Sequence, residues 1–283
     1  MDAQQLIAEG KLDAALAALQ DQVRKDASNA KYRIFLFQLL AVMGQWNRAL
    51  TQLNVAAELD AAALPMAQTY REAIQCEALR GEIFAGKRAP LVFGEPQSWL
   101  ALLIEALRLD GEGHHQRAAE ARARAFEDAP AGGGTINGEP FAWMADADQR
   151  LGPVLEAIVN GRYFWIPFQR ISRIECDAPA DLRDAVWTPA RFTWANGATT
   201  VGLIPTRYPD TRAGVDAGVD DSLLLARRTE WAEQGPLCGY GLGQRLLATD
   251  AAEYALMDVR TIAFEGNGAA EGEGEGQAAG EHG

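Results

Sequence analysis

The sequence predicts an α+β protein of two domains: stacked helical hairpins first, then a compact α+β, mainly β domain. Three observations predict it. A seven-residue phrase beginning at Gly10 returns at Gly44, 34 residues later. Apolar residues recur at helical spacing up to about residue 130. Composition then changes across the glycine run 132–134: five of the seven tryptophans lie beyond it and all four lysines before it, which marks a boundary between unlike folds.

The phrase has a physical logic. Gly10, Lys11, Leu12, Asp13, Ala14, Ala15 and Leu16 are answered by Gly44, Gln45, Trp46, Asn47, Arg48, Ala49 and Leu50. The interval is that of the tetratricopeptide repeat, a helix-turn-helix unit that stacks into a solenoid. The glycine ends one helix in the left-handed conformation that only glycine adopts without strain. The small alanine five residues on lets the paired helices approach. Gly113 and Ala118 keep the same spacing 69 residues after Gly44, and Pro130 closes that unit. Asp26 and Asp60 close the first two. A middle copy is expected to turn near Ala78, where the phrase has decayed to Ala78, Leu79, Arg80 and Gly81.

The repeat domain is assigned to 1–130. Leu12, Leu16, Leu19 and Val23 share one helical face. Tyr32, Phe35, Leu36, Leu39, Leu40 and Met43 form a broader stripe, so that helix is expected to be buried on several sides. Trp46, Leu50, Leu53 and Ala57 line the next. Pro65 suits a first helical turn, where its missing N–H is not needed. A break at 90–96 precedes Ser98, read as the N-cap of a helix over 99–109, and a last helix covers 114–127. Stacked hairpins present a concave surface. Lys31, Ile34, Gln38, Gln68, Glu72 and Gln75, with Leu100, Leu103 and Leu107, are placed on it as a groove for a partner helix or peptide. The plain alternative makes the leucines core and the polar groups solvated surface.

The second domain is assigned to 135–264 after a linker of 131–134 and Asn137-Gly138. Asp146 to Pro153 is read as the start of a short helix running to residue 159 and ended by Asn160-Gly161. Strands are expected at 163–166, 171–176, 191–195 and 199–204, the last two joined by the hairpin signal Asn196-Gly197. A helical turn is expected at 181–185, and short strands at 223–226, 244–248 and 257–264. Residues 265–283 are mostly Gly, Ala and Glu, and are expected to be a disordered acidic tail.

The net charge of -13, with no basic cluster, argues against a nucleic-acid partner. Cys76, Cys176 and Cys238 are odd in number and far apart, which gives neither a disulfide framework nor a zinc pattern. Met1, Asp2, Ala3, Gln4 and Gln5 supply neither the basic region nor the apolar core of a signal peptide, and no apolar run has membrane-spanning length. A cytoplasmic protein without membrane insertion is therefore expected. Asp146, Asp148 and Glu156 are the best carboxylate group for a metal or an acid–base pair. Their plain reading is an N-cap and first-turn acids. His114 and His115 are adjacent, so they do not share a helix face. Gly239, Gly241 and Gly243 lack the Lys-Ser/Thr of a phosphate loop and read as a flexible or tightly turned loop. Arg227, Arg228 and Arg245 are candidates for an anion clamp, with surface acids as their plain partners. No cofactor or metal is expected.

One set of second-domain motifs is more specific. It comprises Phe141, Trp143, Asp146, Asp148, Arg150, Gly152, Pro153 and Glu156; Gly161, Tyr163, Trp165 and Pro167; Leu182, Asp184, Trp187, Pro189 and Ala190; Pro205, Tyr208 and Pro209; and Gly241, Gly243, Gln244 and Arg245. With the degenerate repeats before them, these resemble the ImpE family, also called TagJ or SciE-type, accessory proteins of bacterial type VI secretion systems. The resemblance reaches to Phe264. It implies a non-enzymatic adaptor that binds the N-terminal helix of the small sheath subunit, TssB, and the AAA+ unfoldase ClpV. It carries over no catalytic residue. Two rivals stand beside it: a metal-dependent hydrolase built on Asp146, Asp148 and Glu156, and a structural arrangement in which the second domain fills the repeat groove.

Overall fold

Gly10, Gly44 and Gly113 all sit at positive φ, at 76°, 67° and 81°, and each separates two helices. These are α1 (Ala3–Ala8) and α2 (Leu12–Lys25), α3 (Ala30–Val42) and α4 (Trp46–Leu59), and α6 (Ser98–Gly111) and α7 (His115–Asp128). The computed structural model describes residues 2–216, 218, 220–233 and 238–266; most of the expected acidic tail lies outside them. Ala15, Ala49 and Ala118 are fully buried, as close helix approach requires. The broad stripe of α3 reflects burial of every residue from Leu36 to Val42. Ser98 is the first residue of α6, with Gln97 as the N-cap, one position before the expected cap.

The expected turn near Ala78 is absent. Helix α5 (Leu64–Phe84) runs unbroken for 21 residues, with Pro65 in its first turn. No glycine marks the decayed phrase where the left-handed turn would fall, so the helix continues and carries Arg80 deep into the molecule. The break at 90–96 contains strand β1 (Leu91–Val92), which pairs parallel to the second part of the chain.

Beyond α7 come β2 (Gly134–Ile136), β3 (Glu139–Phe141), β4 (Met144–Asp146), β5 (Val154–Val159), β6 (Arg162–Pro167), β7 (Ile171–Cys176), β8 (Trp187–Trp194) and β9 (Thr199–Pro205). Helix α8 (Thr211–Asp216) precedes β10 (Thr229–Glu233), β11 (Gly239–Gly243), β12 (Leu246–Thr249), β13 (Glu253–Ala255) and β14 (Thr261–Phe264). The main sheet has the order β1-β6-β5-β9-β8-β7-β14-β2-β3 and is antiparallel except for β1. Small sheets β10-β11 and β13-β12-β4 stand beside it.

Several expectations for this part are corrected. Residues 154–159 form a strand, not a helix, and Asn160-Gly161 is a hairpin turn at φ 50° and 71°. The acids at 146 and 148 suggest a helix start and Asn160-Gly161 a helix end, yet all six residues between 154 and 159 are buried strand. Asn137-Gly138 is likewise a hairpin turn, between β2 and β3, and Gly134 of the expected linker is already the first residue of β2. Residues 239–243 are strand, not loop. Gly241 is small because the Tyr208 ring lies where its Cβ would be, 2.1 Å from the Tyr208 Cδ2 atom. Residues 223–226 are turn instead of strand, and 257–260 lead into β14 without pairing. The hairpin at Asn196-Gly197 and the helical turn at 182–185 are as expected.

One apolar cluster joins both parts of the chain. Trp187 of β8 packs on Trp46 and Tyr70, with ring centroids 5.8 and 5.5 Å apart, and Trp165 packs on Phe84 at 6.0 Å. Arginines complete the junction. Arg207 Nη1 donates to Val42 O at 2.7 Å, Arg212 to Met43 O at 3.2 Å, and Arg227 to Ile7 O and Ala8 O at 2.9 Å. These carbonyls end α3 and α1, where the helix lacks internal donors and carries partial negative charge.

Gly241→Ala is expected to lower stability by about 1–3 kcal/mol by forcing Tyr208 aside. Gly10→Ala, with open space around it, is expected to cost only about 1–2 kcal/mol of backbone strain. Urea midpoints of the two variants check both values, and a Gly241→Ala variant as stable as the wild type would contradict the close approach of Tyr208.

Candidate functional site

Strand β5 cannot carry Glu156 inward unless something meets its charge, since an unpaired buried carboxylate is very costly. Two arginines meet it. Arg80 comes from α5, with Nε and Nη2 donating to the Glu156 oxygens at 2.6 and 2.9 Å. Arg245, between β11 and β12, donates one arm to Glu156 and the other to Asp146. Tyr163 OH also donates to Glu156, and Trp165 Nε1 donates to that hydroxyl at 2.9 Å. Glu156, Asp146 and Arg245 have completely enclosed side chains.

A second pair lies alongside. Arg150 grips Asp148 with Nε and Nη2, at 3.0 and 2.7 Å, and reaches Asp210 at 2.5 Å. Its guanidinium lies between the rings of Phe84 and Tyr240, 4.8 and 4.7 Å from their centroids. The Asp148 carboxylate accepts from Gly241 N at 3.0 Å, and Asp146 accepts from Tyr208 OH at 3.0 Å. Glu77 of α5 accepts from Trp187 Nε1 at 3.0 Å.

Electrostatics follow from this sharing. Burial alone would raise the Glu156 pKa, but Arg80 and Arg245 outweigh it and hold the carboxyl at about 2. For Asp146 burial wins. It has only a share of Arg245, with Asp148 and Glu156 nearby, and is pushed up to about 6.

The three carboxylates singled out from sequence do converge, but on guanidinium groups rather than on an open cleft. The reading of Asp146 and Asp148 as helix-start acids is corrected: Asp146 ends β4 and Asp148 lies in the turn that leads to β5, its N–H donating to the Asp146 carboxylate at 2.9 Å. Among the described residues, no group of three or more His, Cys, Asp and Glu side chains is placed to hold a metal ion. The proposed anion clamp is also reassigned. Arg245 serves Asp146 and Glu156, Arg227 caps α1, and Arg228 pairs with Glu230 at 2.7 Å. Sequence reasoning gave no role to Arg80 or Arg207 and named Arg150 only as part of the family-like motif set. The signal for Arg80 was a charged residue on the apolar side of α5; for Arg150 it was an arginine two residues after Asp148.

The groove residues divide. Gln38 and Leu103 are buried, as are Leu100 and Leu107, and the three leucines belong to the core shared with the sheet. Lys31, Gln68 and Gln75 are exposed, while Ile34 and Glu72 are half-buried. Gln68 donates to Glu72, and Glu72 lies against Gly161 of the β5–β6 turn. A cleft of about 460 Å³ opens there between α5 and the sheet, with Met66, Tyr70, Glu72, Ile158, Val201 and Leu203 among its walls.

Fold and site together define a helical-hairpin scaffold locked to a β domain by an internal charge network. Residues 138–263 match the profile of the family described as ImpE protein. The chain is 56% identical over 265 residues to the type VI secretion system accessory component TagJ of Pseudomonas aeruginosa, across 94% of this chain and 92% of that protein. The chain therefore belongs to the ImpE family. The X-ray crystal structure of protein VPA1032 from Vibrio parahaemolyticus has the same fold, with a TM-score of 0.83 at 23% identity over 93% of this chain and 97% of that one. Among the described residues no helix is long and apolar enough to cross a membrane.

Glu156→Gln leaves Arg80 and Arg245 short of a counter-charge and is expected to cost about 3–5 kcal/mol at neutral pH. The Glu156 carboxyl is held below its unfolded value, so its contribution is complete above about pH 4.5 and lost as pH falls toward about 2. Wild type and variant should therefore converge in denaturant midpoint as pH is lowered through that window. A gap that stays constant would contradict the assignment.

Proposed function

We propose that this chain is an accessory protein of a type VI secretion system, acting as a non-enzymatic cytoplasmic adaptor. Its partners in this reading are the N-terminal helix of the small sheath subunit, TssB, and a ClpV-type unfoldase. The observation that carries the reading is the 56% identity with TagJ along 94% of the chain. The charge network supports the non-enzymatic part, because Asp146, Asp148 and Glu156 already have arginine partners.

The docking surface in this proposal is the cleft beside α5. Met66 and the 67%-exposed Val201 offer apolar contact for one face of an amphipathic helix. Glu72 lines the cleft with Thr69, Asn160 and Arg183; Gln68 and Gln75 stand one turn either side of Glu72 on α5, and in this proposal Lys31 and Ile34 of α3 extend the surface. Gln38 and Leu103 contribute by supporting the helices. Glu72 and the net charge of -13 favour a helix with basic residues along the edge that meets α5, while Arg183 in the opposite wall, already paired with Asp181, favours an acid or amide there.

Titration calorimetry with a synthetic peptide of the cognate sheath subunit's N-terminal helix tests this. Micromolar binding is expected, weakened tenfold or more by Glu72→Arg with Gln75→Arg, which is at least about 1.4 kcal/mol. Binding untouched by the double variant would move the site elsewhere. Failure to bind either the peptide or the unfoldase would remove the adaptor role.

A further inference from the structure

Arg207 differs from the other enclosed arginines. Arg80, Arg122, Arg150 and Arg245 each pair with a carboxylate. Arg207 is 7% exposed, yet among the described residues it pairs with none. Its Nη1 donates to the carbonyls of Val42 and Leu224, and Nη2 only approaches Ala41 O at 3.5 Å. Its Nε has no hydrogen-bond partner among the described residues. Burial pushes its pKa down to about 10, although Glu77 opposes that shift.

Arg207 also lines a cavity of about 160 Å³ at the junction of the two parts of the chain. Arg80, Arg212, Trp46 and Thr211 are among its other walls, as is Glu77. Glu77 is turned to Trp187 Nε1 at 3.0 Å and Arg80 Nη1 at 3.4 Å, and Arg80 is mainly occupied by Glu156. Arg212 uses one arm on Met43 O and the other on Asp216. An enclosed guanidinium without a counter-ion, beside a second one at the cavity wall, is a strong attractor for a compact anion.

We propose that this cavity is a binding site for a small tetrahedral oxyanion of the phosphate or sulfate type, held by Arg207 and Arg212. The volume suits the free ion rather than a nucleotide. Bound there, the ion supplies the negative charge that Arg207 lacks and ties α8 to the turn at Gly44. Ligand binding to the folded state alone raises apparent stability in proportion to the logarithm of its concentration.

Thermal melts and calorimetry of the full chain test the site, with sodium phosphate titrated against sodium chloride of equal ionic strength. The expected result is a melting temperature that climbs with phosphate and not with chloride. Arg212→Gln should weaken phosphate binding tenfold or more; it also loses the bond to Met43 O, so the phosphate-induced shift is read against the variant's own phosphate-free melt. Arg207→Lys, which keeps the charge but loses the fork, should weaken binding as well. ADP serves as a second probe, and binding much weaker than that of phosphate is expected. Equal responses to phosphate and chloride would overturn the proposal. So would a phosphate response that survives Arg212→Gln, or ADP binding more tightly than phosphate.

Discussion

A carboxylate at Glu156, with no access to water, is tolerable only because guanidinium groups reach it from both parts of the chain. Arg80 arrives along α5 and Arg245 from the connection between β11 and β12. Neither arginine is well placed without the other contacts around it. Tyr163 and Trp165 orient the carboxylate, and Arg245 extends the pairing to Asp146. The geometry of the domain junction is thereby set by directional bonds as well as by apolar contact. Trp187 and Trp165 fill the space between helices and sheet, but packing alone tolerates sliding, whereas a forked ion pair does not.

The helical half was legible because its signals are local. Glycine at a left-handed turn and alanine at a close approach require no knowledge of distant chain, and both behave as their spacing implies at Gly10, Gly44 and Gly113. The same logic explains the misreading near Ala78. Repetition suggested a turn there, but the local residues contain no glycine until Gly81, and that glycine lies inside the helix. Decay of the repeat is what delivers Arg80 to its partner.

The sheet was harder to read because its charges are internal. A charge within an apolar run normally marks a solvent face, so nothing local to Glu156 announces that its strand is wholly buried. Asp146 and Asp148 suggest a helix start because acids favour the N-cap and first turn of a helix. Only the three-dimensional arrangement brings residue 80 beside 156, or 146 beside 245. The hairpins at Asn137-Gly138 and Asn160-Gly161 carried their signal openly, and were missed where the flanking segments had been assigned to linker or helix. Gly241 illustrates the complementary case: its smallness answers Tyr208, a neighbour remote in sequence.

Strand β1 has a mechanical consequence. Its two residues belong to the connection between α5 and α6, yet they add to the edge of the main sheet beside β6. The sheet is thus assembled from chain on both sides of the 131–133 crossing, and the last hairpin, α6 with α7, hangs between two points of attachment. A proteolytic nick at that crossing would sever the backbone without separating the halves, because each half still holds part of the other's sheet or core. Force applied at either terminus would meet a single body rather than two beads on a string.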